Sequence, residues 1–276
     1  MDRLRYRPGT FLLELTMIGV AALYTFPLYV CIVLAFKPES VWRQSPLSLP
    51  WSPYFGNFSE AWVSARLGDA ITSSMVIVAC SLVLLVIIGS AAAYFIARAA
   101  PRVSWPIYML YLGGMTLPFQ LALIPLYAFM RDVHLLGTPY SVIMFNAGIN
   151  LPLTIFLYAG YIRTIPLAYE ESARIDGAGE FQIFSLVVFP MLRPVTGTVL
   201  IIAGVFMWND FMIPLLYLSG SSWATIPVRI YSFVDTYVTE WGNVFASLLI
   251  GIAPVVIVFL LLQKHMIKGF VSGVKG

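Results

Sequence analysis

Long apolar stretches alternate with short polar ones along this chain, and the apolar stretches are oily on every side rather than along one helical stripe. Six are marked off, at residues 11–36, 70–97, 105–130, 139–162, 195–218 and 243–263. Each reaches about 20 residues, the length at which a helix crosses a hydrocarbon core of about 30 Å. The pattern predicts an all-α integral membrane protein with six transmembrane helices, forming one domain over residues 1–276.

The punctuation between and within these spans adds detail. Pro38, Pro46, Pro50 and Pro53, with Trp42, Trp51 and Trp62, predict an irregular loop lying over the membrane interface between the first two spans. Gly89, Ser90, Ala91, Ala92 and Ala93 predict a place where another helix comes close to the second span. Pro106, Pro118 and Pro125 predict bends in the third. Residues 219–242 carry Pro227, Tyr231, Phe233, Tyr237 and Trp241, an aromatic segment suited to an interface.

Composition agrees with a membrane class. Hydrophobic residues make up 60% and charged residues 11%, with mean hydropathy +0.87; soluble domains carry about 25% charged residues. Cys31 and Cys80 lie inside apolar runs and read as packing residues. The net charge of +3 follows topology rather than nucleic-acid binding. With the N-terminus placed in the cytoplasm, 11 Lys and Arg fall inside and 5 outside, which puts both termini and residues 163–194 on the cytoplasmic side. No Gly-x-x-x-x-Gly-Lys-Ser/Thr loop is present to bind ATP, and His134 and His265 stand apart from any metal-ligand spacing.

The densest charge pattern lies in residues 163–194. Thr164 and Pro166 predict a helix start, Glu170 and Glu171 suit its first turns, and Asp176-Gly177 predicts a bend near residue 175. A second helical run over Glu180–Val188 is expected to end at Pro190. Glu170, Ala173 and Gly177 share one side of the first helix, a side of little bulk on which another protein could dock closely.

Glu171-Ser172-Ala173, then Gly177 after three intervening residues, then Val187-Val188-Phe189-Pro190 after nine more, resembles the EAA loop of binding-protein-dependent ABC importer permeases. Ser172 replaces the first Ala of that pattern, and Val187 and Phe189 replace its Ile and Leu. Pro118 to Gly137, Phe206 to Phe211 and the ending from Gly269 through Gly273 to Lys275-Gly276 are similar to the carbohydrate branch, the ending to the smaller permease subunit of maltose-type importers. The resemblance implies a type I ABC importer permease fold in a bacterial or archaeal cytoplasmic membrane. It implies that Glu170, Glu171, Ser172, Ala173, Asp176, Gly177 and Pro190 form a coupling element for an ATPase, with Gly273, Lys275 and Gly276 reaching toward it as well. Implied partners are a second permease subunit, two cytoplasmic ATPase subunits that carry ATP and Mg, and an extracytoplasmic solute-binding protein touched by the 219–242 segment. The chain itself is expected to be non-catalytic, with no cofactor.

Asp210 is the only acid deep in a span, about 22 Å beyond Val195 at a helical rise of about 1.5 Å per residue. Trp208, Asn209 and Asp210 are therefore candidates for a sugar path, since they join hydrogen-bonding groups to an aromatic face. Asn146 and Asn150 are further candidates, and all these polar groups could equally join helices to one another. A polyol or glycerol-phosphate substrate stays open. So does a self-sufficient secondary transporter or channel, which would need ionisable residues or internal repeats that are not evident here.

Overall fold

A computed structural model describes residues 8–234 and 240–273. Its elements are helical: α1 (Pro8–Ala35), α2 (Glu39–Trp42), α3 (Gly56–Ser64), α4 (Leu67–Arg98), α5 (Pro101–Gly114), a 3₁₀ turn (Phe119–Ala122), α6 (Leu123–Asp132) and α7 (Pro139–Ile162). There follow α8 (Ala168–Ile175), α9 (Glu180–Gln182), a π-helical turn (Ile183–Val188), α10 (Phe189–Met191), α11 (Arg193–Asn209), α12 (Met212–Tyr217), α13 (Ile226–Tyr231) and α14 (Trp241–Gly273). Among the described residues three helices alone are long and apolar enough to cross a membrane, α1, α4 and α7, or five crossings if each of two bent pairs counts as one. The sixth predicted span falls in α14, within which Trp241–Ile257 is an apolar helical stretch.

Two of the predicted spans are broken. Residues 105–130 divide into α5 and a second helical run over Phe119–Asp132, inclined at 91°. Pro118 stands in extended conformation between them, having no N–H for a continuous ladder, and Thr116 Oγ1 donates to the Gly113 carbonyl at 2.8 Å where α5 ends. Residues 195–218 break at Asp210, which is extended (φ −66°, ψ 124°) between α11 and α12.

The chain forms two compact units, one of residues up to Gly68 with Arg229–Ala253, the other of Asp69–Val228 with residues from Pro254 on. In the first, α1 exposes apolar side chains all round, including Leu12, Ile18 and Leu23. Thr16 and Thr25 donate their hydroxyls to the carbonyls four residues back, at 2.8 Å each, so their polar groups are satisfied within the helix. The loop after α1 is more ordered than its prolines predict. Lys37, 2% exposed, donates Nζ to the Ser45 carbonyl at 2.7 Å and to Ser48 Oγ at 2.9 Å. Asn57 on α3 donates Nδ2 to the carbonyls of Ala35 and Lys37 at 2.9 and 2.8 Å.

In the second unit α4, α7 and α11 share one core. Leu85, Ala93 and Ile96 of α4 pack with Ile155, Tyr158, Ala159 and Ile162 of α7 and Val199, Ala203 and Met207 of α11. The predicted small-residue patch on α4 lies in this packing, with Ser90 and Ala93 fully buried. Tyr158 donates its hydroxyl to Thr196 Oγ1 at 2.9 Å, which satisfies a buried phenol. Cys80, read as a packing residue, is exposed, and Cys31 is half-buried.

Candidate functional site

The chain leaves α7 at Ile162 and enters α8 through a short turn in which Thr164 Oγ1 donates to the Tyr161 carbonyl at 2.7 Å. Glu170 and Glu171 occupy the first turn of α8 and Arg174 the last, the arrangement its dipole favours. Two backbone bonds close the helix: the Gly177 N–H donates to the Arg174 carbonyl at 3.1 Å, and the Ala178 N–H to the Ala173 carbonyl at 3.0 Å. With Gly177 at φ +86°, this is a Schellman motif, so the predicted bend has a specific geometry that an L side chain resists.

The second arm begins at Gly179, whose N–H donates to Gln182 Oε1 at 2.9 Å. Arg174 pairs with Glu180 at 2.7 Å across the bend, and that carboxylate raises the guanidinium pKa further above its usual value. Pro190 does not end this arm. It lies in the first turn of α10, directly after the π turn, and the run continues to Met191 before α11 departs at 73°. The run thus ends one residue beyond the expected stop, a proline near its end removing a single N–H donor from the ladder.

The two sides of α8 differ. Glu170 is 2% exposed and accepts from Arg98 Nε at 2.8 Å through Oε1 and from the Tyr94 hydroxyl at 3.0 Å through Oε2. Arg98 Nη2 also lies 2.8 Å from Glu170 Oε1 and donates to the Ile165 carbonyl at 3.0 Å. Ala173 packs against the core. The side expected to be open for docking is thus covered at Glu170 and Ala173 by the chain itself, because the carboxylate is drawn in to a cation. Glu171, Ser172, Asp176 and Gly177 are exposed, and Pro190 is half-buried. The outward surface also carries Tyr169, Ile175, Phe181 and Leu186, apolar side chains that the charge pattern did not single out.

The candidates for a substrate path are more dispersed. Asn209 is exposed and donates to the Val205 carbonyl of its own helix at 2.8 Å, while Trp208 is half-buried. Asp210 Oδ1 accepts from the Ile213 N–H at 3.5 Å at the break, and its Oδ2 is buried without a hydrogen bond. Asn150 donates to the Asn146 carbonyl at 2.9 Å, and both amide atoms of Asn146 are buried without a partner. No group of three or more His, Cys, Asp or Glu placed to hold a metal occurs among the described residues. Gly273 ends α14, whereas Lys275, Gly276 and Tyr237 lie outside the described residues; Tyr231 is exposed and Phe233 buried.

Apolar helical spans, two of them broken, with a polar helix–bend–helix between them agree with the fold of a type I ABC importer permease. Residues 85–271 match the family described as binding-protein-dependent transport system inner membrane component, and the chain belongs to it. It is an integral inner-membrane protein. The chain is 38% identical over 259 residues to the melibiose/raffinose/stachyose import permease protein MelC of Bacillus subtilis (strain 168), covering 93% of this chain and 94% of the other. It is 34% identical over 263 residues to the multiple sugar-binding transport system permease protein MsmG of Streptococcus mutans serotype c, covering 94% of each. The fold is similar, with TM-score 0.82 at 20% identity, to a chain of a bacterial ABC transporter involved in the import of the acidic polysaccharide alginate, covering 95% of this chain and 99% of that one.

Proposed function

We propose that this chain is a permease subunit of an ABC importer that brings a sugar or sugar derivative into the cell. The observation that carries the reading is the family membership joined to a helix–bend–helix in which α8 is closed by a Schellman turn and held from inside through Glu170, while Ile175 of α8, Phe181 of α9 and Leu186 of the π turn are exposed. Such a surface suits an apolar groove on a soluble partner. In this reading the 163–194 loop and both termini face the cytoplasm, two ATPase subunits carrying ATP and Mg dock on the loop, and a second permease subunit completes the pore. A solute-binding protein delivers substrate on the other side. The sugar assignment rests on relatives named for melibiose, raffinose and stachyose and for multiple sugars.

The hydrolytic chemistry then belongs to the partners. The chain's part is mechanical: closure of the ATPase pair displaces α8, and the helices tied to α8 exchange inward-open for outward-open packing. Purification of the chain with its partners into lipid tests this. ATPase subunits are expected to co-purify, and hydrolysis is expected to rise when the binding protein is loaded with one of a panel of oligosaccharides. Hydrolysis indifferent to every loaded form would reject the sugar assignment, and transport by this chain alone would reject the importer class.

A further inference from the structure

We infer that Arg98 and Tyr94 are positioning residues for coupling: through the buried carboxylate of Glu170 they oblige α4 to move with α8 as one body. The inference rests on the reading of the 163–194 loop as an ATPase-docking element.

Along the chain, α8 is joined directly to α7 through residues 163–167 and to α9 through residues 176–179. Helix α4 has no covalent connection there, its last residue lying 72 positions before Glu170. It reaches the loop by side chains alone. Arg98 holds the Glu170 carboxylate through two nitrogens and the Ile165 carbonyl through one of them, so it spans the turn before α8 as well as α8 itself. Tyr94, one turn back on the same face of α4, holds the other carboxylate oxygen. Its ring also lies 5.3 Å from that of Phe184 in the π turn, so α4 touches both arms of the helix–bend–helix.

Burial makes this connection persistent. A carboxylate that is 2% exposed cannot leave its guanidinium without becoming an uncompensated charge in a dry setting, so displacement of α8 draws Arg98 along instead of breaking the contact. Nor does the displacement stop at Arg98. Helix α4 is 32 residues long, about 48 Å at about 1.5 Å per residue. A rigid rod of that length carries movement at its Arg98 end to Asp69 at the other end. The surface pair Arg174–Glu180 has no such role, because it joins two parts of the loop to each other.

The test uses the complex in lipid, with Cys31 and Cys80 replaced by Ser and spin labels at Phe95→Cys on α4 and Ala168→Cys on α8. In the otherwise unchanged chain the label-to-label distance is expected to be the same in nucleotide-free and ATP-bound states. Glu170→Gln is expected to broaden the distribution and to lower substrate uptake per ATP hydrolysed by at least fivefold, with ATPase subunits still co-purifying at the wild-type ratio. Tyr94→Phe, which deletes one hydroxyl, is expected to lower uptake per ATP about twofold, and Arg98→Lys to fall between the two. These milder variants carry the test if Glu170→Gln does not assemble. A distance that changes on ATP binding in the unchanged protein would overturn the inference, as would wild-type uptake per ATP in all three variants. Failure of any ATPase to co-purify with the unchanged chain would instead remove the docking reading, and the inference would fall with it.

Discussion

Gly89 on α4 lies against Thr154 on α7 so closely that a Cβ built on the glycine would fall 2.5 Å from the threonine Cγ2. The contact is inside the core shared by α4, α7 and α11, where Thr154 is 2% exposed and has little room to turn. Small residues at such crossings let helix backbones approach and gain dispersion contacts that lipid cannot replace. Gly89→Ala is expected to destabilise the protein by about 1–3 kcal/mol, the usual cost of overpacking. Thr154→Ser removes Cγ2 and is expected to restore most of the loss in the double variant, read as recovery of the thermal unfolding midpoint in detergent. Equal losses with and without Thr154→Ser would place the strain elsewhere.

Gly177 poses a different question, because nothing lies within 4 Å of a Cβ placed on it. Its requirement is conformational: φ +86° is costly for an L residue, by about 1–2 kcal/mol for Ala and less for Asn. Gly177→Ala is therefore expected to loosen the bend and lower transport, and Gly177→Asn to retain more of it. The order Asn above Ala separates backbone strain from loss of space, since the bulkier residue would be the worse one if space decided.

These two glycines also mark how far the sequence could be read. The oily spans needed no tertiary information, because bilayer thickness dictates their length, and the Asp176-Gly177 bend was legible because turn chemistry is local. A bend at Pro118 was expected from the proline, but its division of the span into two helices inclined at 91°, and the break at Asp210, were not, since a proline or a polar residue in an apolar run bends one helix and divides another according to what packs around it. The partner of Glu170 lay further out of reach. A carboxylate in a first helical turn is explained by the dipole alone, so nothing in its neighbourhood points to an arginine 72 residues away. The same gap produced the expectation that the Glu170 side of α8 faces outward.

Two ion pairs in this region are expected to differ in their effect on stability. Arg174 and Glu180 are 52% and 69% exposed, so Arg174→Ala should leave the unfolding midpoint nearly unchanged, and the more so at high salt. Arg98→Met leaves Glu170 buried without its cation and is expected to cost about 3–5 kcal/mol. Combining Arg98→Met with Glu170→Gln should recover part of that loss, because no uncompensated charge remains. Thermal unfolding of the three variants reads the difference. A double variant no more stable than Arg98→Met would mean that the arginine acts through packing instead.

Asn57 and Gly242 form a similar dependence in the other unit. The Asn57 side chain would lie 2.7–2.8 Å from a Cβ on Gly242, and its Nδ2 satisfies two carbonyls where α1 ends. Gly242→Ala is expected to push the amide off those carbonyls and to cost about 1–3 kcal/mol, as Asn57→Ala does by leaving them unsatisfied. If both changes act on one interaction, their combination costs clearly less than their sum. Additive losses would show two independent contacts.

Asp210 can be tested as a helix cap and as a substrate ligand in one pair of substitutions. The carboxylate stands where α11 stops, and Oδ1 accepts from the Ile213 N–H in the first turn of α12. An amide oxygen accepts in the same way, so Asp210→Asn is expected to keep α12 in place and to leave the unfolding midpoint nearly unchanged. Asp210→Ala removes the acceptor and is expected to cost about 0.5–2 kcal/mol. Transport separates the roles further. A cap predicts uptake near the wild-type rate for Asn and reduced uptake for Ala, in proportion to lost stability. A negative charge needed along the path predicts that Asn and Ala fail alike while Asn remains fully stable. The bond to Ile213 favours the first outcome, because a carboxylate already engaged by the backbone of its own break has only Oδ2 left to offer a passing hydroxyl.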